Sequence, residues 1–154
     1  MKRLQQKGAT LIEVVVTVLI LSTSLLAMAA LQTRSLQYNQ SAFMRSQANI
    51  YAYDIIDRIR INRGVVGDNA AQYNVDFDGS PSGGTLVVKD ITEWRANISR
   101  ILPEGKGKIE CANPASGTTA RVCTVTIKWS DEQLFGPVAS TSEAKSELVY
   151  STSI

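Results

Sequence analysis

Lys7-Gly8-Ala9-Thr10-Leu11-Ile12-Glu13 opens the stretch that decides the fold, and a largely apolar run carries it on to Met28-Ala29-Ala30-Leu31. From Ala9, about 23 residues at roughly 1.5 Å each extend roughly 35 Å as a helix, enough to cross a hydrocarbon core of about 30 Å. One carboxylate, Glu13, interrupts the apolar surface near its start. A charged side chain inside a bilayer costs roughly 2.5–3.5 kcal/mol even on lenient scales, and such groups face a partner rather than lipid. At 100° per residue, Thr10, Glu13, Thr17 and Ser24 fall within about 60° of one another. Two readings of this narrow stripe compete: a face that contacts another helix, or three hydroxyls that bond back to their own backbone. The second does not extend to Glu13, because a carboxylate has no donor to offer a carbonyl.

The front of this segment closely resembles the type III signal of type IV pilins and pseudopilins: a short basic leader ending in glycine, then a glutamate five residues into the mature chain, at the head of an apolar helix. Here the leader is residues 1–8, with Lys2, Arg3 and Lys7, and the matching residues are Gly8, Ala9 and Glu13. The resemblance implies that a prepilin peptidase cuts between Gly8 and Ala9 and methylates the new amino terminus. The family's usual phenylalanine after the cut is Ala9 in this chain. An ordinary secretory signal would place its cleavage site after the apolar run, where Ala27-Met28-Ala29 stands. That reading leaves Glu13 and the helical continuation past Leu31 without a role.

With 154 residues, of which about 90 follow Arg63, the chain has room for one small globular domain on one long helix. The formal charge of +2 includes +3 from Lys2, Arg3 and Lys7, so the side chains of the cut chain sum to −1. Nucleic-acid binding has no electrostatic support. Basic residues ahead of the apolar run place the amino terminus in the cytoplasm and the remainder outside. Both cysteines, Cys111 and Cys123, fall in that exported part, where a disulfide is the natural state. Free thiols or a metal pair are the alternatives, and the chain has no histidine to complete a zinc site. We therefore assign no metal and no cofactor.

Neither proline nor glycine occurs between Ala9 and Arg63, so one helix of about 80 Å is expected, ending at Asn62-Arg63-Gly64 with Gly64 as its left-handed cap. Beyond Leu31 an apolar face returns in Met44, Ala48, Ala52, Ile55, Ile56 and Ile59, the three-and-four spacing of a stripe packed on a core. Asp54 with Arg58, and Asp57 with Arg60, have the spacing of solvated helix pairs and nothing more. From Val65 to Gly84 the composition predicts a loop with at most a short strand near Tyr73–Phe77. Asn74-Val75-Asp76-Phe77-Asp78-Gly79 matches half a calcium loop, but the twelfth position, which should be a bidentate glutamate, is Thr85. A plain Asp-Gly turn is the simpler reading.

Thr85–Lys89 has the composition of a short strand. Asp90 and Glu93 then form a capping box for a helix over Ile91–Leu102, with Ile91, Trp94, Ile98 and either Ile101 or Leu102 inward, stopped by Pro103-Glu104-Gly105. Trp94 reads as a core anchor. Antiparallel strands follow at Gly107–Cys111 and Arg121–Trp129, joined by a turn through 113–117, with a last strand from about Ala144 to Ser151 after an exposed connection over 130–142. The fold class is α+β, a long helix whose second half packs on a small antiparallel sheet. Its expected parts are a leader over 1–8, a membrane half over 9–31, an outer helical half over 32–63 and a globular domain over 64–154.

The order of elements is also similar to that of the PilV-type minor pilins, or type IV pilus modification proteins. The matching features are Thr10-Leu11-Ile12-Glu13-Val14, Leu31-Gln32, Ile56-Asp57-Arg58-Ile59-Arg60, the Trp94 helix leading to Leu102-Pro103, and a cysteine hairpin ending near Trp129. The resemblance implies a structural subunit that primes pilus assembly and sits at the tip with other minor pilins above the major pilin, in some cases carrying a large adhesin. Its expected partners are those pilins, the prepilin peptidase, the inner-membrane assembly platform and, before assembly, membrane lipid. Glu13 would meet the amino terminus freed at Ala9 of a neighbour, or in a simpler alternative its own. A type II secretion pseudopilin shares the same construction. A single-pass periplasmic sensor, adhesin or enzyme is the more distant rival; the chain shows no nucleophile elbow, phosphate loop or convincing carboxylate pair.

Overall fold

The computed structural model describes residues 10–66, 70–112, 121–131 and 145–154. Gly8 and Ala9 lie outside them, as do the turn over 113–117 and most of the connection before the last strand. The chain divides into two compact units, Met1–Asn39 and Gln40–Ile154.

The first unit is the beginning of helix α1, Leu11–Val66. Leu11, Val15, Leu19, Leu25, Leu26 and Leu31 are all exposed here. The helix is long and apolar enough to cross a membrane, and none of its most apolar window is buried inside the protein.

The second unit holds the rest of α1, a short 3-10 helix at Ala70–Tyr73, helix α2 at Thr85–Ile101, and strands β1 Lys106–Cys111, β2 Val122–Ser130 and β3 Lys145–Ser153. The strands form one antiparallel sheet in the order β1-β2-β3. Met44, Ala48, Ala52, Ile55, Ile56 and Ile59 of α1 are buried, as the spacing predicts, together with Val87, Ile91, Trp94 and Ile98 of α2 and Ile109, Val125, Ile127 and Trp129 of the sheet. Trp94 is the anchor: it has no exposed surface, and its Nε1–H donates to the Tyr51 carbonyl of α1 at 2.9 Å. Its ring lies so close to β1 that a Cβ on Gly107 would stand 2.3 Å from Trp94 Cη2, so glycine is required there.

Two boundaries differ from expectation. Helix α1 runs through Gly64 to Val66, because a single glycine in a helix costs only about 1 kcal/mol and does not stop it. Thr85–Lys89 is not a strand but the first turn and a half of α2. Val87, Ile91, Trp94 and Ile98 keep one helical stripe, so the run Leu86-Val87-Val88 belongs to the helical period rather than to an extended segment. At the far end Leu102 is buried and Ile101 exposed, and the Leu102 N–H closes the helix on the Ile98 carbonyl at 2.8 Å. The strands stand within two residues of their expected positions.

Candidate assembly site and the polar contacts of the domain

Glu13 sits in the first turn of α1, where the unpaired amides and the helix dipole favour an acidic group. Of the other members of its stripe, Thr17 donates to the Val14 carbonyl at 2.9 Å and Ser24 to the Ile20 carbonyl at 2.8 Å. Ser22, Thr23 and Thr33 bond back to the helix in the same way. For Thr17 and Ser24 the backbone-bonding reading therefore holds. Glu13 makes no ion pair or side-chain hydrogen bond to any described residue, leaving one exposed carboxylate on an exposed apolar surface.

In the second unit the polar groups find one another. Cys111 and Cys123 stand opposite each other in the β1–β2 register and form a disulfide, with Cα atoms 4.0 Å apart. The outer edge of β1 is closed as well. Val75 and Ile109 exchange backbone hydrogen bonds at 3.0 and 2.9 Å, and the Asn74 side chain takes both backbone groups of Cys111. This single bridge at Val75 is all that forms of the strand expected near Tyr73–Phe77.

Asp90 does not cap a helix. It is buried inside α2, where its Oδ2 accepts from the Tyr73 hydroxyl at 2.8 Å and its Oδ1 from Arg58 at 3.2 Å. Arg58 forms the expected pair with Asp54 at 3.1 Å and also reaches Glu93 at 3.4 Å, so beyond that pair it joins α1 to α2. Buried Asn62 donates to the Tyr73 hydroxyl at 2.9 Å. Burial, with the Asp90 hydrogen bond adding to it, pushes the Tyr73 hydroxyl up to about 12. Burial works against the Arg58 charge, but its bonds to Asp54, Asp90 and Glu93 hold its pKa above the ordinary value. Asp57 and Arg60 do form the exposed pair expected, at 3.1 Å, although Arg60 also donates to Thr152 of β3. The signal for this network is an acid inside an apolar stripe, visible once α2 is started at Thr85.

The calcium-like segment is a turn closed by the Gly79 N–H on the Asp76 carbonyl at 3.0 Å. Asp78 is held by Lys106 at 2.6 Å, with its pKa lowered by that bond, and Thr85 opens α2. No group of three acidic or cysteine side chains is placed to hold a metal among the described residues. Comparison with family models, curated proteins and solved structures finds no match to this chain.

Proposed function

We propose that the protein is a minor pilin, a structural subunit that helps prime a type IV pilus and sits with other minor pilins at its tip. On this reading a prepilin peptidase removes residues 1–8 and methylates Ala9. The apolar part of α1 waits in the inner membrane with its start in the cytoplasm, and the second unit folds in the periplasm. The observation that carries the reading is Glu13, an unpartnered carboxylate in the first turn of an exposed apolar helix whose neighbouring hydroxyls Thr17 and Ser24 are already satisfied. A freed amine at Ala9 of a neighbouring subunit supplies the missing positive charge. In a low-dielectric bundle of helices such a pair is far stronger than at a surface, and it fixes the axial register between subunits. Extraction from lipid becomes tolerable because neighbouring helices replace the acyl chains around the apolar face.

Two measurements test this. Mass spectrometry of the native protein should find a mature chain beginning at methylated Ala9; an uncut amino terminus points to a single-pass periplasmic protein instead. Glu13→Ala should leave membrane insertion intact and sharply reduce incorporation into pili. Normal incorporation of that variant would remove the register role.

A further inference from the structure

The turn over 76–79 closes the segment 74–79 that matches half a calcium loop in sequence, and a positive charge already meets its main-chain oxygens. Arg95 of α2 donates through Nη1 to the Gly79 carbonyl at 2.6 Å, through Nη2 to the Asp76 carbonyl, and through Nε and Nη2 to the Gly107 carbonyl at 3.2 and 3.0 Å. Three main-chain oxygens from two separate segments thus converge on one guanidinium. The carboxylates beside them belong to Asp76, which faces Lys108 at 3.8 Å, and Asp78, which holds Lys106. Converging carbonyls flanked by carboxylates are the donor set of a hard divalent cation. A guanidinium meets the same oxygens with fixed, planar donors and needs no dehydration of a metal ion.

We propose that Arg95 is the resident cation of this turn: it occupies the position a divalent ion would take, makes the domain indifferent to calcium, and on removal leaves a calcium-responsive site. Its reach explains the arrangement. The turn, α2 and β1 follow one another along the chain, and Arg95 ties all three at the place where a metal would otherwise be needed to gather carbonyl oxygens. While the guanidinium is present, its charge and its occupancy of the three oxygens exclude a second cation.

The test uses the full chain in detergent micelles, with thermal unfolding followed in a chelator and in about 5 mM calcium, above the range at which extracellular calcium modules bind. The wild type should unfold at the same temperature in both. Arg95→Met should unfold roughly 5–10 °C lower in chelator and recover part of that loss in calcium. Arg95→Lys, which keeps the positive charge, should not respond to calcium. If Arg95→Met does not fold in chelator, Arg95→Gln is titrated with terbium, whose luminescence Trp94 sensitises from beside Gly107. Calcium should quench that signal, and the wild type should show none. Stabilisation of the wild type by calcium overturns the proposal, and so does an absence of any calcium or terbium response in both neutral variants.

Discussion

The two units treat their polar and apolar groups in opposite ways. In the first, leucines, valines and isoleucines stand exposed around the helix and its one carboxylate has no described partner. In the second, α1 turns the same kind of residue inward, and among the described residues no buried side-chain nitrogen or oxygen lacks a hydrogen bond. Even Asp90, an acid in the apolar stripe of α2, is matched on both oxygens. One helix thus runs from a stretch whose apolar residues stand exposed into a stretch whose apolar face is buried. That contrast teaches where to look for function: a satisfied network of charges holds a fold together, whereas an unsatisfied charge on an apolar surface calls for a partner.

The contrast breaks most visibly if the second unit is emptied. Trp94→Ala should cost about 3–5 kcal/mol, the usual range for removing a large aromatic from a core, with the lost bond to Tyr51 included. Denaturant unfolding of the full chain in micelles, followed by near-ultraviolet circular dichroism, checks it. The helicity of residues 10–39 should survive the loss of the domain signal, since no residue of that stretch belongs to the core. A smaller loss is expected from Cys111→Ala with Cys123→Ala. Closing a loop of about a dozen residues stabilises by about 3 kcal/mol in the chain-entropy model, and that amount should vanish without any change in the strand register. Amide exchange on β1 and β2 gives the register independently of the stability.

Smaller again is the effect of alkali on the Tyr73–Asp90 contact. The folded-state pKa of Tyr73 is about 12, above its unfolded value of about 10, so the folded protein favours the neutral hydroxyl. The resulting stabilisation is fully present below pH 10 and is lost as the pH rises through 12, for a total of about 2–3 kcal/mol. Tyr73→Phe lacks the titrating group and should lose less stability than the wild type over that interval, although it starts about 1–2 kcal/mol lower at neutral pH through its missing hydrogen bonds. Parallel unfolding curves for the two proteins between pH 9 and 12 decide the matter. If both fall equally, another group carries the alkaline sensitivity.

Much of this fold was legible in the sequence because it rests on period and punctuation. The stripe from Met44 to Ile59, the alternation through β2 and the cysteine pair are local patterns whose meaning does not depend on the rest of the chain. Thr85–Lys89 failed because three apolar residues in a row satisfy either period, and only the placement of Val87 beside Ile91 and Trp94 settles the helix. Arg58, Asp90 and Tyr73 failed for a different reason. Each has an innocent local explanation, as half of a surface pair, a helix cap or a loop aromatic, and their juxtaposition is a product of tertiary packing across separations of up to 32 residues. Glu13 stands out in the sequence for the opposite reason: the first turn of a helix favours an acid locally, but a charge is costly on an apolar helix of membrane length.

The finest test of the contrast lies at that residue. If the first unit truly owes nothing to the second, Glu13→Ala should leave the unfolding midpoint of the domain unchanged within about 0.3 kcal/mol, as expected for substitutions remote from one another and without shared partners. The same substitution should strengthen partition into a bilayer, because a charge costing roughly 2.5–3.5 kcal/mol at the centre of a membrane, and less near its edge, has been removed. Measured together by denaturant unfolding and vesicle extraction, a silent domain and a tighter anchor identify Glu13 as a group retained against the preference of the membrane. A shift in the domain midpoint would instead mean that the carboxylate has a partner within its own chain, and the need for a neighbouring subunit would disappear with it.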